Sequence, residues 1–221
     1  MTAATADRER PAGHRERSEA ISSAEALASV FGPAVLRRGD SCGDTIVYLD
    51  RNLAHEMLAW LKGTPGQEFN YLTDITAVDY RDPEQPLEVV YQLRSLDRKV
   101  DLRLKIPLDK RELLEVDSVC NLWKGADWLE REVYDMFGVT FRGHPDLRRI
   151  LMWDTYAEGY PLRKDFPLRG HFSRAEQTRQ ALAIPIEGHY SLEELEIAEA
   201  FDELPSDVRE RVRRGERGEV E

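Results

Sequence analysis

In the run Trp128-Leu-Glu-Arg-Glu-Val-Tyr-Asp-Met-Phe-Gly138, four charged side chains, Glu130, Arg131, Glu132 and Asp135, interrupt an otherwise apolar stretch. Glu132 and Asp135 are three apart, so on a helix both carboxylates project from one face. Paired carboxylates about 5–9.5 Å apart hydrolyse glycosides, and with His144 downstream they define one possible chemistry, a carboxylate/His hydrolase. Against it, Arg131 lies beside them, four residues before Asp135 and able to pair with it, and would hold both carboxylates ionised. No platform for stacking a sugar is evident. Ion pairs with arginines of the following loop or of a partner explain the cluster better, and such pairs set register more than they add stability.

Other chemistries are weaker still. His144 and His171 could ligate a metal with Asp146 or Asp165, but the spacing matches no dense metal signature, and His14, His55 and His189 are remote in sequence. A histidine before proline in a loop reads instead as a hydrogen-bonding anchor. Arg142, Arg148, Arg149, Arg163, Lys164 and Arg169 could hold phosphate, yet no Gly-rich cradle opens a helix there. Arginine is also favoured at protein interfaces for bidentate carboxylate contacts. Cys42 and Cys120 have neither a neighbouring His nor a CxxC partner, so no thiol nucleophile is expected. Two cysteines cannot hold an iron–sulfur cluster or a structural zinc by themselves, and a reducing compartment is the simplest reading.

The elements that must position these residues form an α+β pattern. Residues 1–20 are polar, with four bases and four acids, and read as a disordered tail. Ser22 to Glu25 cap a short helix that Gly32-Pro33 ends. Val35-Leu36 and Thr45–Leu49 read as strands around a turn over 39–44, and Asp50 or Asn52 can cap a helix carrying Leu53, Met57, Leu58, Trp60 and Leu61. Phe69 to Tyr80 suggests a strand. The clearest pattern is an antiparallel hairpin: Leu87, Val89, Tyr91 and Leu93, then Val100, Leu102, Leu104 and Ile106, each alternate with polar residues. Residues 111–120 are ambiguous. Ala126, Leu129, Val133, Met136 and Phe137 then share one helical face, with Gly138 where a left-handed cap belongs. The expected fold is a mainly antiparallel sheet with helices on one face over residues 21–137, an extended irregular arm over 138–171, and a polar acidic tail over 172–221.

The chain has 221 residues, 42 acidic and 31 basic, for a net charge of −11. This balance argues against a general nucleic-acid binder and against adhesion to anionic lipid. No run approaches the ~18–20 apolar residues that span a bilayer, and the first 20 residues lack the apolar core of a secretory signal. The one net-positive segment is 138–171, with six bases against four acids. That segment also keeps Phe141, Leu147, Ile150, Leu151, Met152, Trp153, Tyr156 and Tyr160, groups that disordered segments lack. An arm with apolar and arginine anchors, covered by another protein, fits this composition. Residues 187–203 hold seven acids and no base and read as a solvated run.

At this point the sequence resembles a known family. Glu130-Arg131-Glu132, Asp135-Met136-Phe137, His144, Arg148 and Ile150-Leu151, at these fixed spacings, look like the signature of the 30 kDa subunit of respiratory complex I, the bacterial form of which is NADH–quinone oxidoreductase. Tyr160-Pro161-Leu162-Arg163-Lys164-Asp165 is similar to the family's tail motif. The resemblance is dense over about residues 125–170. It implies a non-catalytic peripheral-arm subunit, on the cytoplasmic side of the bacterial membrane, that packs against the 49 kDa subunit and other peripheral-arm subunits near the quinone site. It implies no cofactor on this chain, since FMN, iron–sulfur clusters, NADH and quinone belong to the rest of the proton-translocating assembly. Under this resemblance the partner-binding residues are Glu130, Arg131, Glu132, Asp135, His144, Arg148, Arg149, Arg163, Lys164 and Asp165. The equivalent subunit of a related membrane hydrogenase or another quinone-reducing complex is the near alternative, and the stand-alone hydrolase the distant one.

Overall fold

The computed structural model describes residues 12–173, with Pro83, Asp154 and Arg169 excepted, together with Gln177. The described residues up to Ser173 belong to one compact unit. The stretch 1–11 and nearly all of the tail expected over 172–221, including the acidic run 187–203, lie outside the described residues.

Helix α1 covers Ala12–Phe31. It therefore reaches into the segment expected to be a tail, and Ser22 and Ser23 lie inside it rather than capping it. The reason is a sparse stripe of small apolar residues. Ala20, Ala24 and Leu27 are spaced by four and three and are buried, while Ser23 Oγ donates back to the Glu19 carbonyl at 3.0 Å. Arg98, from the turn of the central hairpin, donates to Ser23 Oγ at 2.9 Å and ties the helix to the sheet.

Strands β1 (Val35–Ser41) and β2 (Asp44–Leu49) are longer than the alternation suggested and meet at a two-residue turn. Cys42 and Gly43 both take positive φ, 55° and 96°, as a type I′ hairpin turn requires. Helix α2 (Ala54–Gly63) starts after Leu53 without a side-chain cap. Asp50 accepts the Asn52 N–H at 2.8 Å, so it shapes the entry turn instead. Strands β3 (Tyr71–Val78), β4 (Leu87–Ser95) and β5 (Val100–Leu108) complete a sheet of order β1-β2-β5-β4-β3, antiparallel except for the β2–β5 pair. The inward residues of β4 and β5 join α1, α2 and the later helix α3 (Ala126–Phe137) in one apolar core. Their outward residues form cross-strand pairs, with Arg94–Asp101 at 2.7 Å and Lys105–Glu88 at 2.7 Å. The ambiguous stretch 111–120 contains a three-residue strand, β6 (Glu115–Asp117). It pairs in parallel with β7 (Thr140–Arg142), which directly follows α3 (Ala126–Phe137). This small ladder returns the chain to the start of the arm.

Candidate functional site

Helix α3 is the platform, and the arm is bonded to its C-terminal end. Asp135 is completely buried. Its Oδ1 accepts the Arg149 guanidinium at 2.6 Å, and its Oδ2 accepts three consecutive backbone N–H groups, from Ile150, Leu151 and Met152, at 3.1, 2.8 and 2.8 Å. Successive N–H groups aimed at one oxygen make an anion nest. Burial alone would raise the Asp135 carboxyl, but the Met152 N–H, the Arg149 guanidinium and the Ile150 and Leu151 N–H groups outweigh it and hold the group below the usual carboxylate range. Arg149 is fixed in turn by the Gly159 carbonyl at 3.3 Å and by the rings of Tyr156 and Tyr160.

The end of the helix is closed by the same arm. A helix leaves its last carbonyls without partners. Here the Tyr134 carbonyl takes the Gly138 N–H, that of Asp135 takes Arg149, that of Met136 takes the Leu162 N–H, and that of Phe137 takes Arg163 Nε at 2.6 Å. Two guanidinium groups thus meet the negative end of the helix dipole. Gly138 adopts φ 72°, and a Cβ there would fall 2.3 Å from the Tyr160 ring. Farther along, the Lys164 N–H donates to Asp79 at 2.8 Å and Lys110 pairs with the same carboxylate at 2.6 Å.

Glu130 occupies the other buried face of α3. It accepts the Val119 N–H at 2.7 Å and the Cys120 thiol at 3.5 Å. Burial raises its pKa against these donors. His144 has no exposed side-chain surface. Its Nδ1 accepts the Asp146 N–H at 3.0 Å, so Nε2 carries the proton and donates to the Asp127 carbonyl at 3.2 Å. The ligating atoms of Cys120, Glu130 and His144 lie within 4.8 Å of one another. Each already has a hydrogen-bond partner, so the group reads as a closed network that a metal ion would have to break. Burial, partly countered by Ser118, pushes the Cys120 thiol up to about 11, far from a reactive thiolate.

Several sequence expectations change at this site. Glu132 is exposed whereas Asp135 is buried, so the two carboxylates share no pocket and the acid–base pair does not form. Arg131 does not pair with Asp135. It donates to the Arg148 and Arg149 carbonyls at 3.3 and 3.1 Å and lies over the Trp128 ring. The arm also covers much of its own apolar surface, since Phe141 and Tyr156 are buried without another protein. His144 is an anchor, as its context suggested, while His171 stands edge-on to Phe166 instead. Arg148, Lys164 and Asp165 are exposed, Arg148 beside Asp146 at 2.9 Å. Asp79 and Glu158 were missed. Glu158 is buried and accepts the His171 and Phe172 N–H groups. No local signal marks either residue, because each is a lone acid whose donors come from elsewhere in the chain.

Residues 47–172 match the family model described as respiratory-chain NADH dehydrogenase, 30 Kd subunit. The chain belongs to this family. Among its relatives, an NADH-quinone oxidoreductase subunit of Geotalea uraniireducens is 50% identical over 144 residues, spanning 65% of this chain and 85% of that protein. The corresponding NADH-quinone oxidoreductase subunit of Citrifermentans bemidjiense is 43% identical over 144 residues, spanning 65% and 87%. Among solved structures, a trypsin-resistant fragment of Nqo5 is 32% identical, with 56% of this chain and 97% of the fragment covered and a TM-score of 0.48. Both buried hubs of α3 and the whole docked arm fall inside the matched region. Among the described residues no helix is long and apolar enough to cross a membrane.

Proposed function

We propose that this chain is a peripheral-arm subunit of a proton-translocating NADH–quinone oxidoreductase, carries no reaction centre of its own, and scaffolds the 49 kDa subunit near the quinone site on the cytoplasmic side of the membrane. FMN, the iron–sulfur clusters, NADH and quinone would then be bound by other subunits. The observation that carries this reading is how the signature residues are used. Arg131, Asp135, His144, Arg149 and Arg163 are all taken up by hydrogen bonds that fold the arm onto α3, and Glu130 by bonds that hold the Val119–Cys120 segment against the same helix. What the folded arm leaves outside is an interface composition: Trp128 is 62% and Leu151 63% exposed, with Glu132 and Arg148 also exposed on the same two elements. Tryptophan and arginine beside exposed aliphatic groups are what protein interfaces favour.

The test is purification of the tagged chain from its native membranes in mild detergent. The expected result is an NADH-oxidising assembly with iron–sulfur signals that contains the 49 kDa subunit. A chain that leaves the membranes alone, or one that turns over a substrate without partners, would overturn the proposal. An assembly that oxidises hydrogen but not NADH would assign the chain to a related complex.

A further inference from the structure

A cleft of about 500 Å³ opens where the end of β3, the β3–β4 turn, the segment 110–114 and the arm's Arg163–Asp165 meet. Five cations and three carboxylates line it, so it is net positive by two in a chain of charge −11. Most of these charges are committed. Lys110 is held by Asp79 at 2.6 Å, Arg111 by Glu84 at 2.7 Å, and Arg163 by the Phe137 carbonyl. Arg81, Lys164 and Asp165 are exposed, and none of the three side chains has a hydrogen bond or ion pair among the described residues, so two cations face one carboxylate. The bond from the Lys164 N–H to the buried Asp79 fixes the backbone that carries this ammonium. The half-buried Leu114 supplies apolar lining beside the cations.

From this arrangement we infer that the cleft receives an acidic segment of a neighbouring subunit, whose carboxylate is taken by the Arg81 fork and the Lys164 ammonium while an adjacent apolar side chain lies against Leu114. The proposal rests on the reading of this chain as a docked subunit and adds the chemistry of one contact. Charge complementarity selects the occupant: an anion relieves two uncommitted cations, and an exposed guanidinium matches a carboxylate in two hydrogen bonds. The cleft is also continuous with the arm. The tail motif that the sequence singled out, Tyr160 to Asp165, supplies its wall at Arg163, Lys164 and Asp165.

A carbodiimide joins an ammonium to a carboxylate in direct contact, so it is applied to the native assembly and the peptides containing Lys164 are identified by mass spectrometry. The expected product is an amide between Lys164 and an Asp or Glu of another subunit, lost in Lys164→Arg and reduced several-fold in Arg81→Glu. Lys164 should also react with an acetylating ester about tenfold more slowly in the assembly than in the isolated chain, as for an ammonium held in an ion pair. Equal acetylation in both states, or a link only to carboxylates of this same chain, overturns the proposal. Protection that vanishes when lipid is stripped, with no protein link, assigns an anionic lipid and overturns it too. If the chain does not co-purify with an assembly at all, the subunit reading has failed. If it co-purifies with Lys164 unlinked and fully reactive, only the cleft proposal has failed.

Discussion

Asp135 accepts four hydrogen bonds from residues 14–17 positions downstream, and one of the donors is a partly buried guanidinium. Replacing it with Ala strands that charge and three N–H groups at once, which costs about 3–5 kcal/mol for a broken buried pair. Urea unfolding should show this loss, and an Asp135→Ala variant as stable as the parent would refute the hub. The pH dependence has a definite sign. The folded-state pKa of Asp135 is depressed. Its contribution is therefore present above the unfolded value of about 4 and is lost as pH falls through the folded value. Glu130 behaves oppositely. Its pKa is raised, so stability declines as pH climbs from the unfolded value of about 4.3 through the folded one. Glu130→Gln keeps an acceptor for Val119 and should flatten that decline, seen by comparing urea midpoints at pH 4 and pH 7. The pairing of Asp135 with an arginine of the following loop is the one the charge cluster suggested, and Arg149 supplies it. Glu132, grouped with Asp135 by its three-residue spacing, is left in water by helix rotation, and no local signal marks the buried Glu130, because its donors come from Val119 and Cys120.

The elements that could be read in advance are those whose own pattern determines them. Strand β5 alternates over all nine of its residues and β4 over its last five, and α3 repeats its apolar face and ends at a glycine, so the hairpin and the helix follow from local rules. Strands β6 and β7 are three residues long and exist through pairing with each other, which no periodicity can reveal. The first half of α1 was missed because a polar sequence with alanine anchors resembles a solvated tail. The junction between α3 and the arm is the element most open to test. Gly138 serves twice, once for its positive φ and once because the Tyr160 ring lies against it. Gly138→Ala should lose about 1–2 kcal/mol for the left-handed backbone alone, and more for the displaced ring. Tyr160→Ala relieves the clash but not the backbone strain, so the double variant should be less unstable than the sum of the two single ones. Strict additivity in urea unfolding would mean that the ring and the glycine do not meet.

At the scale of the whole molecule, the charge of −11 is unevenly distributed, and its only net-positive segment, 138–171, is the one folded against α3. The sequence suggested that this segment needs a partner to cover its aromatics. The folded chain covers Phe141 and Tyr156 itself and leaves Trp128 and Leu151 outside. This separates residues that hold the arm from residues free to bind. Truncating an exposed side chain changes stability by no more than about 0.5 kcal/mol, whereas removing an interface anchor costs about 2 kcal/mol or more of binding. Trp128→Ala and Leu151→Ala should therefore leave the urea midpoint of the isolated chain nearly unchanged and reduce the fraction retained on the assembly by about thirtyfold or more, since each 1.4 kcal/mol is tenfold. Leu96→Ala provides the control, because Leu96 is 53% exposed on the hairpin turn, away from α3 and the arm. If the three variants are retained equally, the Trp128–Leu151 face is not where the partner binds. If Trp128→Ala instead unfolds the isolated chain, its ring supports Arg131 and the arm from within, and the separation between holding and binding residues does not stand.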